Sequence, residues 1–208
     1  MEKYILDTNL FFNMAAGFGM GQKTEETVKN TSNFILKLKD KAQFYMPPRV
    51  VDEFLSFFED KNQPFLKEFL SFVIIKAPQI EEIKFPASVF YALVDDIRQR
   101  SYRGLNLAEE QINKAGQLAV ERKEKLGKKD FEMAIGPFIK NFRERYRQAT
   151  RYGFLDSLAD LDLIVLAKEI DGFLVTSDEG VIQWARRFGV KETPPVTWKK
   201  RLERLLES

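Results

Sequence analysis

Four aspartates carry the chemistry on offer in this sequence: Asp7, Asp160, Asp162 and Asp178. Asp7 closes an apolar run, Tyr4-Ile5-Leu6, and Asp178 follows another that begins Phe173-Leu174-Val175. Asp160 and Asp162 stand just ahead of that second run, Asp156 lies one helical turn before Asp160, and Glu53 follows the strand-like segment that ends at Met46. Carboxylates gathered in one place repel one another and raise their pKa values. A divalent cation relieves that repulsion, and two hard cations bridged by carboxylates can activate a water and stabilise the leaving oxygen of a phosphodiester. No imidazole or thiol is needed, which suits a chain of 208 residues with no His and no Cys. The same absences exclude disulfides, Cys nucleophiles, imidazole bases and zinc sites built on His or Cys. Any metal must be held by oxygen, which favours magnesium, manganese or calcium.

Each carboxylate also has a plainer reading. Asp178 and Asp156 stand where helix N-caps are expected. Asp160 and Asp162 point about 200° apart on a helix, so both reach one site only near its N-terminus. Asp7 is harder to explain as structure alone, because a carboxylate closing a buried strand needs a partner.

The elements that must position these groups follow from the apolar pattern. Residues 3–7, 43–46, 72–76, 172–177 and 190–192 read as short strands. Helices are predicted over 24–41, from Pro48 onward, over 65–70, from Pro86, from Asp130 or Pro137 to 152, from Asp156 or Ser157 to about 170, over 178–187 and from Thr197, with 8–22 left as a loop. Gly104 is expected to interrupt the long stretch after Pro86, and Gly136-Pro137 to kink or restart the next helix. Strands alternating with helices predict an α/β fold on a parallel sheet, made of 1–85 and 153–208, with 86–152 inserted as a helical arm. In such a sheet, sites form beyond the carboxyl ends of the strands, where Asp7 and Asp178 fall.

Charge is divided unevenly. Residues 98–151 hold 14 Lys or Arg against 7 Asp or Glu, a net of +7, while the remainder carries a net of −5. Within that basic segment Lys140, Arg143, Arg147 and Arg151 share one face of a helix, opposite a stripe of Phe138, Phe142, Tyr146 and Ala149. Such a face is either a solvated surface or an arm that binds a polyanion beside an acidic metal site. No apolar run approaches the ~20 residues of a membrane span, and the first residues have no signal-peptide layout, so a cytoplasmic protein is expected.

Asp7-Thr8-Asn9 after an apolar strand, Glu53 in an early helix, the Asp160/Asp162 helix and Thr176-Ser177-Asp178 after a strand together resemble the PIN-domain nucleases. A wider resemblance, over nearly the whole chain, is to the minimal protein-only ribonuclease P family, known as HARP and also as RNA ligase partner proteins. It is carried by Phe44-Tyr45-Met46-Pro47, Arg103-Gly104-Leu105, Phe142-Arg143-Glu144-Arg145-Tyr146-Arg147, Leu155-Asp156-Ser157 and Asp178-Glu179-Gly180. The resemblance implies a PIN-like (Rossmann-like) parallel sheet flanked by helices, with an inserted helical hairpin arm for RNA binding or self-association. It implies removal of the 5′ leader of precursor tRNA with two Mg2+ or Mn2+ ions, no RNA subunit, and dimer-based, large homo-oligomers. Residue by residue, Asp7, Asp160, Asp162 and Asp178 match the family's acidic metal site, Asp156 a nearby acidic position, and Glu53 the general PIN pattern. Lys140, Arg143, Arg147 and Arg151 match the RNA-binding arm in character. Two other functions stand beside this one. A toxin-type PIN ribonuclease cutting tRNA or rRNA is usually shorter and lacks so large an insertion. A non-catalytic RNA-binding assembly module would be expected to have lost acids that are all present here.

Overall fold

A computed structural model describes residues 1–13, 19–121, 125–151, 155 and 157–207. The chain divides into two compact units, one formed by Met1–Pro86 with Leu155–Ser208, the other by Ala87–Phe154. The first unit holds five strands, β1 (Glu2–Leu6), β2 (Ala42–Met46), β3 (Ile74–Ile75), β4 (Phe173–Val175) and β5 (Lys191–Thr193). They form one sheet in the order β3-β2-β1-β4-β5, and every pair is parallel, as the alternating pattern predicts. Its helices are α1 (Asn9–Phe12), α2 (Thr24–Lys37), α3 (Pro48–Ser56), α4 (Pro64–Phe72), α7 (Leu158–Glu169), α8 (Glu179–Arg187) and α9 (Pro195–Glu207). The second unit holds α5 (Ser88–Glu121) and α6 (Lys128–Arg151).

The chain leaves β1 in one direction to build β2 and β3, and returns on its other side to build β4 and β5. The sheet therefore reverses its winding between β1 and β4, the place where open α/β sheets form their crevice. Tyr4 pairs in register with Phe44 and Phe173, which puts the three rings in one row on one face. Trp198 of α9 packs on that row, 5.8 Å from Tyr4. A second aromatic cluster joins Phe11, Phe54 and Phe69 with ring centroids 5.1–5.4 Å apart, and so pins α1 to α3 and α4.

That cluster explains one departure from the sequence reading. Residues 8–22 are not loop throughout, because buried Leu10 and Phe11 draw the start of the segment into the turn of α1. The helix predicted to reach Lys41 ends at Lys37, where the backbone N–H groups of Leu38, Lys41 and Ala42 close a turn that feeds β2. Residues 65–70 belong to a separate helix, restarted by Pro64 in its first turn.

In the second unit α5 and α6 run antiparallel, since residues near 104 meet those near 146 while Leu118 meets Phe131. Gly104 does not interrupt α5. It is buried, and a Cβ there would come within 2.7 Å of the Tyr146 ring, so its small size lets the helices approach. Gly136-Pro137 does not restart α6 either, since one helix spans Lys128–Arg151. Pro137 has no N–H to offer the Met133 carbonyl, but both residues are exposed and water can take that bond. Arg103 donates to the Ala149 carbonyl at 2.9 Å, and Arg100 to that of Thr150, so two arm arginines close the last turn of α6. Arg145 grips Glu110 with both terminal nitrogens, at 2.7 and 2.9 Å. Phe90, Ile97 and Ile112 of α5 are exposed.

Candidate active site

Leu6 pairs with Val175, and the Asp7 N–H donates to the Val175 carbonyl at 3.2 Å, so Asp7 and Thr176 leave their strands side by side at the carboxyl edge. Asp7 is buried. Its Oδ2 accepts from the Thr176 hydroxyl at 2.5 Å, and its Oδ1 accepts from the Thr8 hydroxyl at 3.3 Å and the Asn9 N–H at 3.4 Å. Thr176 Oγ1 in turn accepts from Asn9 Nδ2 at 3.1 Å and from the Asp178 N–H at 3.0 Å. One donated and two accepted bonds use the full capacity of a hydroxyl, so its orientation toward Asp7 is set. Asn9 Oδ1 receives the Ser177 N–H and hydroxyl, both at 3.3 Å, and Asn13 Nδ2 donates to the Ser177 hydroxyl. These bonds clasp the turn after β1 to the turn after β4.

The Asp7 carboxyl is pushed up to about 7. Burial is the main cause, and the charges of Asp160 and Asp178 add to it, against the lowering effect of the Thr176 and Asn9 bonds. Asp160 sits in the first turn of α7, where its N–H is capped by the Ser157 hydroxyl at 3.0 Å. Asp178 caps α8 by accepting the Val181 N–H at 2.9 Å. Its plain structural role is therefore real, yet the same position brings its charge to bear on Asp7.

The structure thus brings Asp160 and Asp178 each within electrostatic reach of Asp7. Asp162 is buried on α7 but turned to Arg49, whose Nη1 lies 2.6 Å from Asp162 Oδ2. Glu53 is exposed on α3. Asp156 lies outside the described residues. Lys140, Arg143 and Arg147 are exposed on α6 and make no ion pair among the described residues; Arg151 is the last residue of that helix. Among the described residues no three carboxylates are gathered tightly enough to hold an ion unaided. No helix among them is long and apolar enough to cross a membrane.

A profile of the PINc domain ribonucleases matches residues 3–207. The RNA-free ribonuclease P of Pyrococcus furiosus is 35% identical over 207 residues, covering 100% of this chain and 96% of its own. The RNA-free ribonuclease P of Methanocaldococcus jannaschii is 34% identical over 91% of this chain and 86% of its own. That of Thermodesulfovibrio yellowstonii is 32% identical over 95% and 92%. The chain belongs to the RNA-free ribonuclease P family of PINc domain ribonucleases.

In this member of the ribonuclease P family, the residues that the aspartate pattern did not single out are Asn9, Thr176 and Arg49. Asn9 and Thr176 flank Asp7 and Asp178 within the two motifs, and their polarity at strand ends was a visible signal. Arg49 had a fainter one: a cation in the first turn of a helix opposes the helix dipole and needs a reason to be there.

Proposed function

We propose that this chain removes the 5′ leader of precursor tRNA as a ribonuclease P without an RNA subunit, working in the cytoplasm as a homo-oligomer. The observation that carries this reading is 35% identity along the whole length of the chain to an RNA-free ribonuclease P, supported by the charges of Asp160 and Asp178 bearing on buried Asp7 beyond the end of β1.

The residues present fit a divalent cation. All the donors are oxygens, and a buried carboxyl raised to about 7 by its own burial and two neighbouring charges is a group that a cation stabilises. Magnesium keeps several waters and is commonly held by one or two carboxylates together with substrate phosphates, so a compact all-protein cage is not required. Asp7, Asp160 and Asp178 are the residues we assign to hold Mg2+ or Mn2+, two ions in all, with Asp156 nearby in sequence. When bound, the ions supply a nucleophile at neutral pH and neutralise charge on the leaving oxygen.

The chain's own residues set the stage for that chemistry. The Thr176 hydroxyl fixes one Asp7 oxygen, and the Asn9–Ser177 clasp keeps the Asp7 and Asp178 turns at a constant spacing. The exposed cations Lys140, Arg143 and Arg147, with Arg151, hold the tRNA backbone by charge and shape rather than sequence. Hydrolysis breaks the bond between phosphorus and the leader's 3′ oxygen, leaving a 5′ phosphate on the tRNA and a 3′ hydroxyl on the leader. The exposed Phe90, Ile97 and Ile112 favour self-association.

The test is cleavage of 5′-labelled precursor tRNA with magnesium, manganese or EDTA, beside an unstructured RNA of equal length. A single metal-dependent cut at the mature 5′ end is expected. Cuts scattered through both RNAs would point instead to a general or toxin-type nuclease.

A further inference from the structure

Arg49 and Asp162 form an ion pair outside the three residues, Asp7, Asp160 and Asp178, assigned above to the metal. Arg49 is the second residue of α3, just beyond the carboxyl end of β2, the strand beside β1. It therefore stands on the same edge of the sheet as Asp7 and Thr176. Asp162 lies on α7, which packs against α3, and is two residues along from Asp160. The Asp162 side chain is only 9% exposed, whereas that of Arg49 is 57% exposed. One guanidinium nitrogen is bound to the carboxylate at 2.6 Å, and the remaining N–H groups of Arg49 make no hydrogen bond among the described residues.

A buried carboxylate needs a counter-charge, and Arg49 supplies one. Neutralisation alone would be served as well by a cation folded down over the carboxylate. Here the guanidinium is instead fastened at one corner and left open to solvent at the others, on the sheet edge that also carries Asp7, where carboxylates repel the phosphates a nuclease must admit. A planar, permanently charged fork held in this way matches a phosphate.

We propose that Arg49 contacts a backbone phosphate of the RNA next to the bond that is cut, and that Asp162 is the positioning residue that aims it. This rests on the ribonuclease P reading above. It gives Asp162 a role distinct from metal binding and adds a substrate-contacting residue on the sheet edge, apart from the basic face of α6.

The experiment compares the full-length protein with Arg49→Ala, Arg49→Lys, Asp162→Asn and the double variant Arg49→Ala/Asp162→Asn, all checked for intact folding by thermal melting. Two readouts are taken: kcat and KM on precursor tRNA, and RNA affinity in EDTA as a function of salt. Arg49→Ala is expected to weaken affinity and raise KM by roughly tenfold or more, with a smaller change in kcat. It should flatten the salt dependence by about one phosphate contact. Arg49→Lys should restore the salt slope but only part of the affinity, because a point charge lacks the fork. Asp162→Asn should weaken affinity in the same direction by letting the guanidinium swing free. The double variant decides between the two roles of Arg49. If Arg49 serves only to neutralise Asp162, removing both charges recovers wild-type affinity, and the proposal is overturned. If it binds phosphate, affinity stays low. Wild-type affinity and salt slope in Arg49→Ala, in a protein that still cuts at the mature 5′ end, would overturn this inference and leave the ribonuclease P reading standing. A wild-type protein that makes no such cut would overturn both.

Discussion

Asp7 is held between opposing effects, and burial wins. Hydrogen bonds from Thr176 and Asn9 favour the charged form, but burial and the charges of Asp160 and Asp178 outweigh them and hold the carboxyl at about 7. The folded protein thus keeps a proton that an unfolded Asp, with a pKa of about 3.9, has already lost. In the absence of metal, stability from this group declines as pH rises from about 4 to about 7. Asp7→Asn, which keeps the shape and cannot ionise, is therefore expected to melt higher than wild type at pH 8 in EDTA, with the gap closing toward pH 4. Millimolar magnesium or manganese should raise the wild-type Tm at pH 8 and leave the variant's nearly unchanged. Calorimetry across pH reads both effects, and a gap that does not vary with pH would show Asp7 ionised throughout. The same substitution should abolish cleavage, by about a thousandfold or more, while leaving RNA binding nearly intact. A single-turnover assay with a parallel binding titration checks this, and full activity in the variant would remove the metal site from the mechanism.

At the scale of elements, the site depends on two strand ends and two helix starts meeting at one edge. α1 matters more than its four residues suggest, because Phe11 anchors it in the aromatic cluster while Asn9 reaches across to the β4 turn. In the hairpin, close approach depends on Gly104. Gly104→Val would drive its side chain into Tyr146 and cost about 1–3 kcal/mol of hairpin stability. Gly116, in the same helix, has nothing within 4 Å of an added Cβ. Gly116→Ala is expected to stabilise by roughly 0.5–1 kcal/mol through helix propensity alone. Hydrogen exchange across α5 and α6 in the two variants separates a glycine kept for packing from one with no packing role. Equal protection in both would remove the packing argument for Gly104.

For the whole molecule, charge is the organising quantity. The basic segment 98–151 and the acidic remainder differ by twelve charges, but not every cation of the segment is available to RNA. Arg100 and Arg103 serve α6 carbonyls, and Arg145 is committed to Glu110, whose carboxyl is drawn down to about 2 by that partner and Lys114. Lys140, Arg143 and Arg147 are exposed and make no ion pair among the described residues. Replacing these three by Ala is expected to weaken precursor-tRNA binding by about one to two orders of magnitude at physiological salt and to lower the salt slope by about 2–3, with little change in single-turnover rate at saturation. Replacing Arg100 and Arg103 should instead lower hairpin stability. Filter binding across a salt series tests the first expectation and thermal melting the second. An unchanged slope in the triple variant would place the RNA elsewhere.

Much of this was legible without coordinates. Alternation of apolar runs with helical periods is a local signal, and it marked the five strands and the parallel sheet. Asp7 and Asp178 could be placed at strand ends because strand ends are themselves local. The capping role of Asp178 followed from its position before a helix, and of the two candidates for the start of α7, Asp156 or Ser157, the structure shows Ser157 capping. What the sequence could not decide depends on distances between residues far apart in the chain. The Thr176–Asp7 bond spans a separation of 169 residues, and the Arg49–Asp162 pair one of 113. Gly104 looked like a helix breaker because propensity is local, whereas the Tyr146 ring that makes its small size useful is supplied by another helix. Asp160 and Asp162 point to different sides of their helix, and spacing alone did not say which of them turns to the site. Packing of α3 against α7 gave Asp162 an arginine, while the opening turn of α7 left Asp160 acting on Asp7. Residue type and periodicity determine which groups are present and on which element. Only the folded chain decides which charges share a low-dielectric site, because interaction energies depend on separation and burial that no linear spacing contains.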